Sequence, residues 1–104
     1  ELDPIPQGQS TSDNRIKDLI LGYFFAEDFN KVVELSFDIR VMDTRSLALI
    51  LYSRSKLNQD IKVSSEYQSF KGEFKDTDWE QTIDRFHIRD ENIKNTLLNF
   101  IKDI

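Results

Sequence analysis

His87, between Phe86 and Ile88, is the single histidine of a chain that contains no cysteine. That pair of facts excludes thiolate catalysis, disulfide stapling and every cysteine-based zinc site. A catalytic zinc would have to rest mainly on carboxylates. The run Asp76-Thr77-Asp78-Trp79-Glu80, followed by Asp84, has the acidic spacing of a calcium loop only superficially. Its sixth position is Gln81 rather than glycine, and its twelfth is His87 rather than glutamate. Ser53 or Ser55 with His87 and Asp84 would supply the residue types of a hydrolytic triad, yet no strand–turn–helix nucleophile elbow surrounds either serine. Glu73 and Asp76 are a carboxylate pair suited to acid–base work, with nothing in the pattern to mark burial. Gly8, Gly22 and Gly72 are too far apart for a phosphate loop or a dinucleotide fingerprint. The sequence therefore nominates no catalytic residue, no metal and no cofactor, and it leans away from an enzyme.

Binding chemistry is better represented. Tyr52, Arg54 and Lys56 alternate, so on a strand they would share one face where a base could stack and two cations could meet phosphates. Against a nucleic-acid partner stands the formal net charge of −5, which gives no long-range attraction for a phosphate backbone. Eight phenylalanines, three tyrosines and one tryptophan favour a protein partner. Phe24 and Phe25 are adjacent and cannot both face inward from one helix. Phe100 and Ile101 likewise broaden the apolar surface of the last helix. Phe24, Phe25, Phe100 and Ile101 are thus the protein-binding candidates, with Phe25 the preferred exposed anchor. Phe70 and Phe74 read as closing the core beneath a turn.

The elements that would position these residues follow from periodicity and punctuation. Residues 1–12, with two prolines and a glycine in a polar run, read as a flexible leader or linker, and 13–104 as one small domain. Ser12 is placed to cap a helix whose buried stripe is Ile16, Leu19, Ile20, Tyr23 and Phe24. Gly22 inside it marks either a close packing contact or a less regular turn. From Val33 to Val41 apolar and polar residues alternate, which predicts a strand over about 32–42, followed by a turn at Asp43–Thr44. The apolar run within 47–55 predicts a second, central strand, and 61–70 a third whose edge could receive a partner strand. Lys62 and Glu66 would guard that edge against indiscriminate pairing. Thr77 and Glu80 have capping-box spacing ahead of Trp79, Ile83 and Phe86. Asp90 is placed to cap a final helix with the stripe Ile93, Leu97, Phe100, Ile101 and Ile104.

These readings predict an α+β fold: an N-terminal helix, a three-stranded antiparallel meander, and a C-terminal helical hairpin or bent helix packed on the sheet. The structural alternative is a helical bundle in which 29–40 and 46–57 are helices. In function the pattern points to a noncatalytic protein-interaction or adaptor domain within a larger assembly, binding another protein or a second copy of itself. Its rivals are a purely structural domain of an envelope, secretion or viral assembly, and a small enzyme built on carboxylates or His87. The longest apolar run, LALILY over 47–52, is too short to cross a bilayer. A first residue Glu1 fits a processed chain or a domain of a longer protein, and the compartment is left open.

Overall fold

A computed structural model of the protein describes the backbone from Ile5 to Ile104 and the side chains from Asp13 onward. Among the described residues every regular element is helical: α1 (Ile5–Phe25), α2 (Phe29–Ser36), α3 (Thr44–Lys56), a 3-10 turn (Ile61–Val63), α4 (Ser65–Lys71), α5 (Trp79–Asp84) and α6 (Glu91–Asp103). No strand occurs among them, so the expected α+β fold with its three-stranded meander is wrong. Of the leader expected over 1–12, residues 1–4 and the side chains of 5–12 lie outside the described residues. The helix expected from Ser12 has its backbone helical from Ile5.

Each expected strand fails for its own reason. In 32–42 the helix period overrides the alternation. Val32, Val33 and Ser36 are buried in α2, with Phe29 packed against the core at i, i+3, i+4 and i+7. The Asp28 carboxylate caps this helix by accepting the Lys31 N–H at 3.3 Å. The remainder of the alternation falls on an irregular loop, where Phe37 and Val41 are exposed. The run at 47–55 is apolar on both phases because α3 is covered on all sides: Leu47, Ala48, Leu49, Ile50 and Leu51 are fully inaccessible. Asp43, read as a turn residue, is its N-cap, accepting the Ser46 N–H at 3.3 Å. In 61–70 two caps follow one another. Asp60 accepts the Lys62 N–H at 3.1 Å, and Ser64 Oγ accepts the Tyr67 N–H at 3.2 Å. Val63 and Tyr67, expected on one strand face, part company; Val63 is exposed and Tyr67 packs on the core.

α3 is the pillar of the fold. α1 and α2 pack on it and on each other, α4 and α6 cover its remaining sides, and α5 packs on α6. The C-terminal pair of helices is thus present, but its support is α3 rather than a sheet. Asp78, not Thr77, caps α5 through the Gln81 N–H at 3.3 Å. Asp90 caps α6 as its position predicts, accepting from Asn92 N at 2.9 Å and Ile93 N at 3.4 Å.

Two turns fix where the helices end. After α1 the Asp28 N–H donates to the Tyr23 carbonyl at 2.9 Å and the Glu27 N–H to Phe24 at 3.0 Å, with Glu27 left-handed at φ 60°. After α3 the Gln59 and Asn58 N–H groups close on the Arg54 and Ser55 carbonyls, each at 3.0 Å, with Asn58 at φ 61°. Both are Schellman endings, built with Glu and Asn in the place glycine usually takes.

The α2–α3 loop is pinned to α1 by Asp13. Its two carboxylate oxygens accept the Arg40 N–H at 2.9 Å and the Val41 N–H at 3.2 Å, with Lys17 Nζ 3.6 Å away. The Arg40 N–H foremost, then the Val41 N–H and Lys17, hold the Asp13 carboxyl below the usual carboxylate range against a desolvation that raises it. A depressed folded value means that the contribution is complete above the unfolded value, about pH 4, and is lost as pH falls through the folded one. Asp13→Ala should therefore cost about 2 kcal/mol in urea unfolding at neutral pH, and the gap from wild type should narrow steadily below pH 4. Gly22, for its part, makes no close contact: a Cβ built there meets nothing within 4 Å. Gly22→Ala should raise stability by about 1 kcal/mol, read in the same unfolding experiment.

Candidate functional site

The end of α1, the start of α2, the last turns of α3 and the face of α6 meet around a connected set of aromatic rings. Phe24 lies edge-on to Phe25, Phe29 and Tyr52, with centroid separations of 6.0, 6.1 and 5.6 Å. Tyr52 in turn meets Phe29 at 6.0 Å and Phe100 at 5.4 Å. Edge-to-face pairs set the positive ring edge against the negative ring face, which adds orientation to plain apolar burial. The Schellman turn at Glu27 reverses the chain directly after Phe25 and brings Phe29 back beside Phe24.

Phe24 and Phe25 divide as adjacent residues on a helix must: Phe24 is 5 % exposed and Phe25 44 %. Phe25 borders a concavity of about 240 Å³ whose apolar wall includes Phe24, Phe29 and Tyr52, closed on the α6 side by Ile93 and Leu97. Asn92 and Thr96 stand on that same α6 wall and offer hydrogen bonds. Lys56, four residues from Tyr52, places its ammonium 5.5 Å from the Tyr52 ring centre. The concavity continues into an open trough that shares Tyr52, Lys56 and Thr96 and runs on past Phe100.

Of the four expected protein-binding residues, Phe25 is the exposed one at this site. Phe24 is core, and Phe100 is half-buried against Tyr52 along the trough. Ile101 faces inward at 3 % exposure. Phe29, Ile93, Asn92 and Thr96 were not nominated. The signals for them were the stripe that Phe29 makes with Val32 and Val33, and the spacing of 92, 93, 96, 97 and 100 on α6.

The strand-edge pair has no edge to guard. Lys62 lies in the 3-10 turn, while Glu66 is buried in α4 and accepts from Arg54 Nε at 2.8 Å. The expected row of Tyr52, Arg54 and Lys56 is broken up by the helix. Tyr52 and Lys56 share a face, and Arg54 turns away to Glu66, to Gln59 at 2.8 Å and to the Phe37 ring at 5.8 Å. No stacking ring flanked by two free cations results.

The catalytic alternatives are not assembled either. Ser53 is fully buried and spends its hydroxyl on the Leu49 carbonyl at 2.8 Å. Asp84 is ion-paired with Lys94, whose hydrogen bond and then charge hold the Asp84 carboxyl below its usual range. That shift is opposite to the one a general acid needs. Glu80 pairs with Lys102 at 2.9 Å, and Glu73 and Asp76 are exposed. Among the described residues no three histidine, aspartate or glutamate side chains converge to hold a metal ion. No described helix is long and apolar enough to cross a membrane.

The division between Phe24 and Phe25 is directly testable. Phe24→Ala should lower unfolding free energy by about 3–5 kcal/mol, whereas Phe25→Ser should change it by less than about 1 kcal/mol. No known protein family, curated protein or solved structure matches this chain.

Proposed function

We propose that this domain is a noncatalytic protein-binding module that takes an apolar side chain of a partner polypeptide into the aromatic concavity at Phe25. The observation that carries the reading is Phe25 itself: a large ring, 44 % exposed, beside an apolar hollow of about 240 Å³. Exposed rings beside preformed apolar hollows are the usual centres of interface energy. The hollow has room for about one large side chain, and its walls are set by edge-to-face contacts, so little ordering is left for binding.

The trough argues for a polypeptide occupant rather than an isolated small molecule. It extends the apolar hollow along α6, whose residues 92–103 rise over about 16 Å at 1.5 Å per residue. That length suits three turns of a helix or about five residues of extended chain. Asn92, Thr96 and Asn99 line its successive turns and can meet polar groups of a bound backbone. A partner strand added to a sheet edge is no longer part of the reading, because the described residues form no sheet.

The test is selection of displayed random 12-residue peptides on the intact domain, with Phe25→Ser and Thr96→Arg as comparison targets. The expected result is a family of peptides sharing one bulky apolar anchor, each bound at least tenfold more weakly by both variants, which is about 1.4 kcal/mol or more. Retained binding in both variants overturns the assignment, as does selection that yields no such family. Concentration-dependent mass in light scattering that Phe25→Ser abolishes would identify the partner polypeptide as a second copy of the chain.

A further inference from the structure

The opposite end of α3 carries a different chemistry. Two buried polar side-chain atoms without a hydrogen-bond partner, Arg45 Nε and Ser46 Oγ, belong to consecutive residues in its first turn. A buried guanidinium N–H seldom lacks an acceptor, and Arg45 Nε is shielded from solvent while the rest of its side chain is part-exposed. Arg45 gives one Nη2 contact to Asp18 at a long 3.4 Å, which leaves its Nε–H unanswered.

The same Arg45 lines a concavity of about 410 Å³ together with Asp43 and Thr44 at the start of α3 and with Thr82, Arg85, Phe86 and His87 from the α5 end. Among the described residues neither Arg85 nor His87 makes an ion pair. His87 is left-handed at φ 61°, which lets Phe86 and Ile88 on either side of it stay buried while His87 itself is exposed on the concavity. Both acids nearby have a cationic neighbour. Asp18 touches Arg45, and Asp43 accepts the Ser46 N–H at 3.3 Å with Lys17 Nζ 3.9 Å away. Because Asp43 already occupies the start of α3, the receptor here consists of side chains and not of free helix N–H groups.

We propose that this concavity binds a phosphate monoester, held by the Arg45 and Arg85 guanidiniums with the His87 imidazole and the Thr44 and Thr82 hydroxyls as further donors. Planar guanidinium forks match the oxygens of a tetrahedral anion, and charge-assisted hydrogen bonds of this kind are the strong ones. The ligand is a single phosphate group, free or on a phosphorylated side chain. A polyanionic backbone is disfavoured by the chain's net charge of −5.

The test is a titration of the isotope-labelled protein at constant ionic strength and neutral pH, followed by backbone amide and arginine Nε–H resonances. The probes are inorganic phosphate and N-acetyl-phosphoserine amide. Saturable shifts confined to residues 43–46 and 82–88, with movement of Arg45 Nε–H, are expected. Arg85→Gln, at an exposed position, should leave the other resonances in place and weaken binding at least tenfold. Tighter binding of the phosphoserine derivative assigns the site to a phosphorylated chain, and equal binding assigns it to free phosphate; both support the site. Shifts that do not saturate overturn it, and so does saturable binding that Arg85→Gln and Arg45→Gln both leave unchanged. Peptide capture at Phe25 is a separate readout, so either reading can fail alone.

Discussion

The fold depends on one constraint: α3 has no face that water can touch over Leu47–Leu51. Each fully buried leucine or isoleucine contributes about 1.5–3 kcal/mol relative to exposure, but only if something covers it. A helix apolar all round cannot lie on a surface, so α1, α2, α4 and α6 must enclose it from different sides. Most polar groups around that enclosure find partners within it, Arg45 Nε and Ser46 Oγ being the exceptions. Asp43 answers the first turn, Ser53 bonds back to Leu49, and the left-handed Asn58 closes the last carbonyls. Tyr52 is half-buried where α3 approaches the surface, and the aromatic hollow forms there because four helices converge on that one ring.

The same constraint explains which parts of the fold were legible in the sequence. Helices that expose one face announce themselves: the α6 stripe and its Asp90 cap were readable, as were the Trp79–Ile83 pair and, in the α1 stripe, Ile16, Ile20, Tyr23 and Phe24, whereas Leu19, expected to be buried with them, is exposed. A helix buried on every side has no polar phase, so LALIL looks the same whether helical or extended. The alternation from Val33 to Val41 is a different failure. Both periods fitted it as far as Phe37, and the deciding feature was Asp28, a side chain placed to cap a helix at Phe29. Asp28, Asp43, Asp60, Ser64 and Asp78 each start a helical element. Read together as N-caps, they would have argued for the bundle over the sheet.

Legibility was lower for the sites, because their residues come from four helices far apart in sequence. Phe25 could be singled out only from its adjacency to Phe24, a local argument that the helix geometry sustains. Arg54 shows the limit of local argument. Beside Tyr52 and Lys56 it resembles part of a cationic face, but its partner Glu66 lies in another helix, and together they form a largely buried ion pair. Removing one member would strand the other charge away from water, which is costlier than the pair is favourable. That commitment makes Arg54 an architectural residue joining α3 to α4, and it leaves Lys56 as the cation beside the Tyr52 ring.

The two proposed sites therefore share a pillar and little else. Arg45 and Tyr52 are separated by seven positions on α3, a rise of about 10 Å, with Leu47–Leu51 packed between them. At that separation, and without shared contacts, the effects of substitutions at the two ends should add within about 0.5 kcal/mol. The chemistries are also opposed: edge-on rings selecting an apolar side chain at one end, guanidinium donors selecting a compact anion at the other. A phosphate at Arg45 would touch none of the rings around Tyr52, and an apolar anchor at Phe25 would leave the charges near Asp43 unaltered. Coupling between them would require α3 itself to shift. Its enclosure over Leu47–Leu51 opposes that, because moving a close-packed segment opens voids around it.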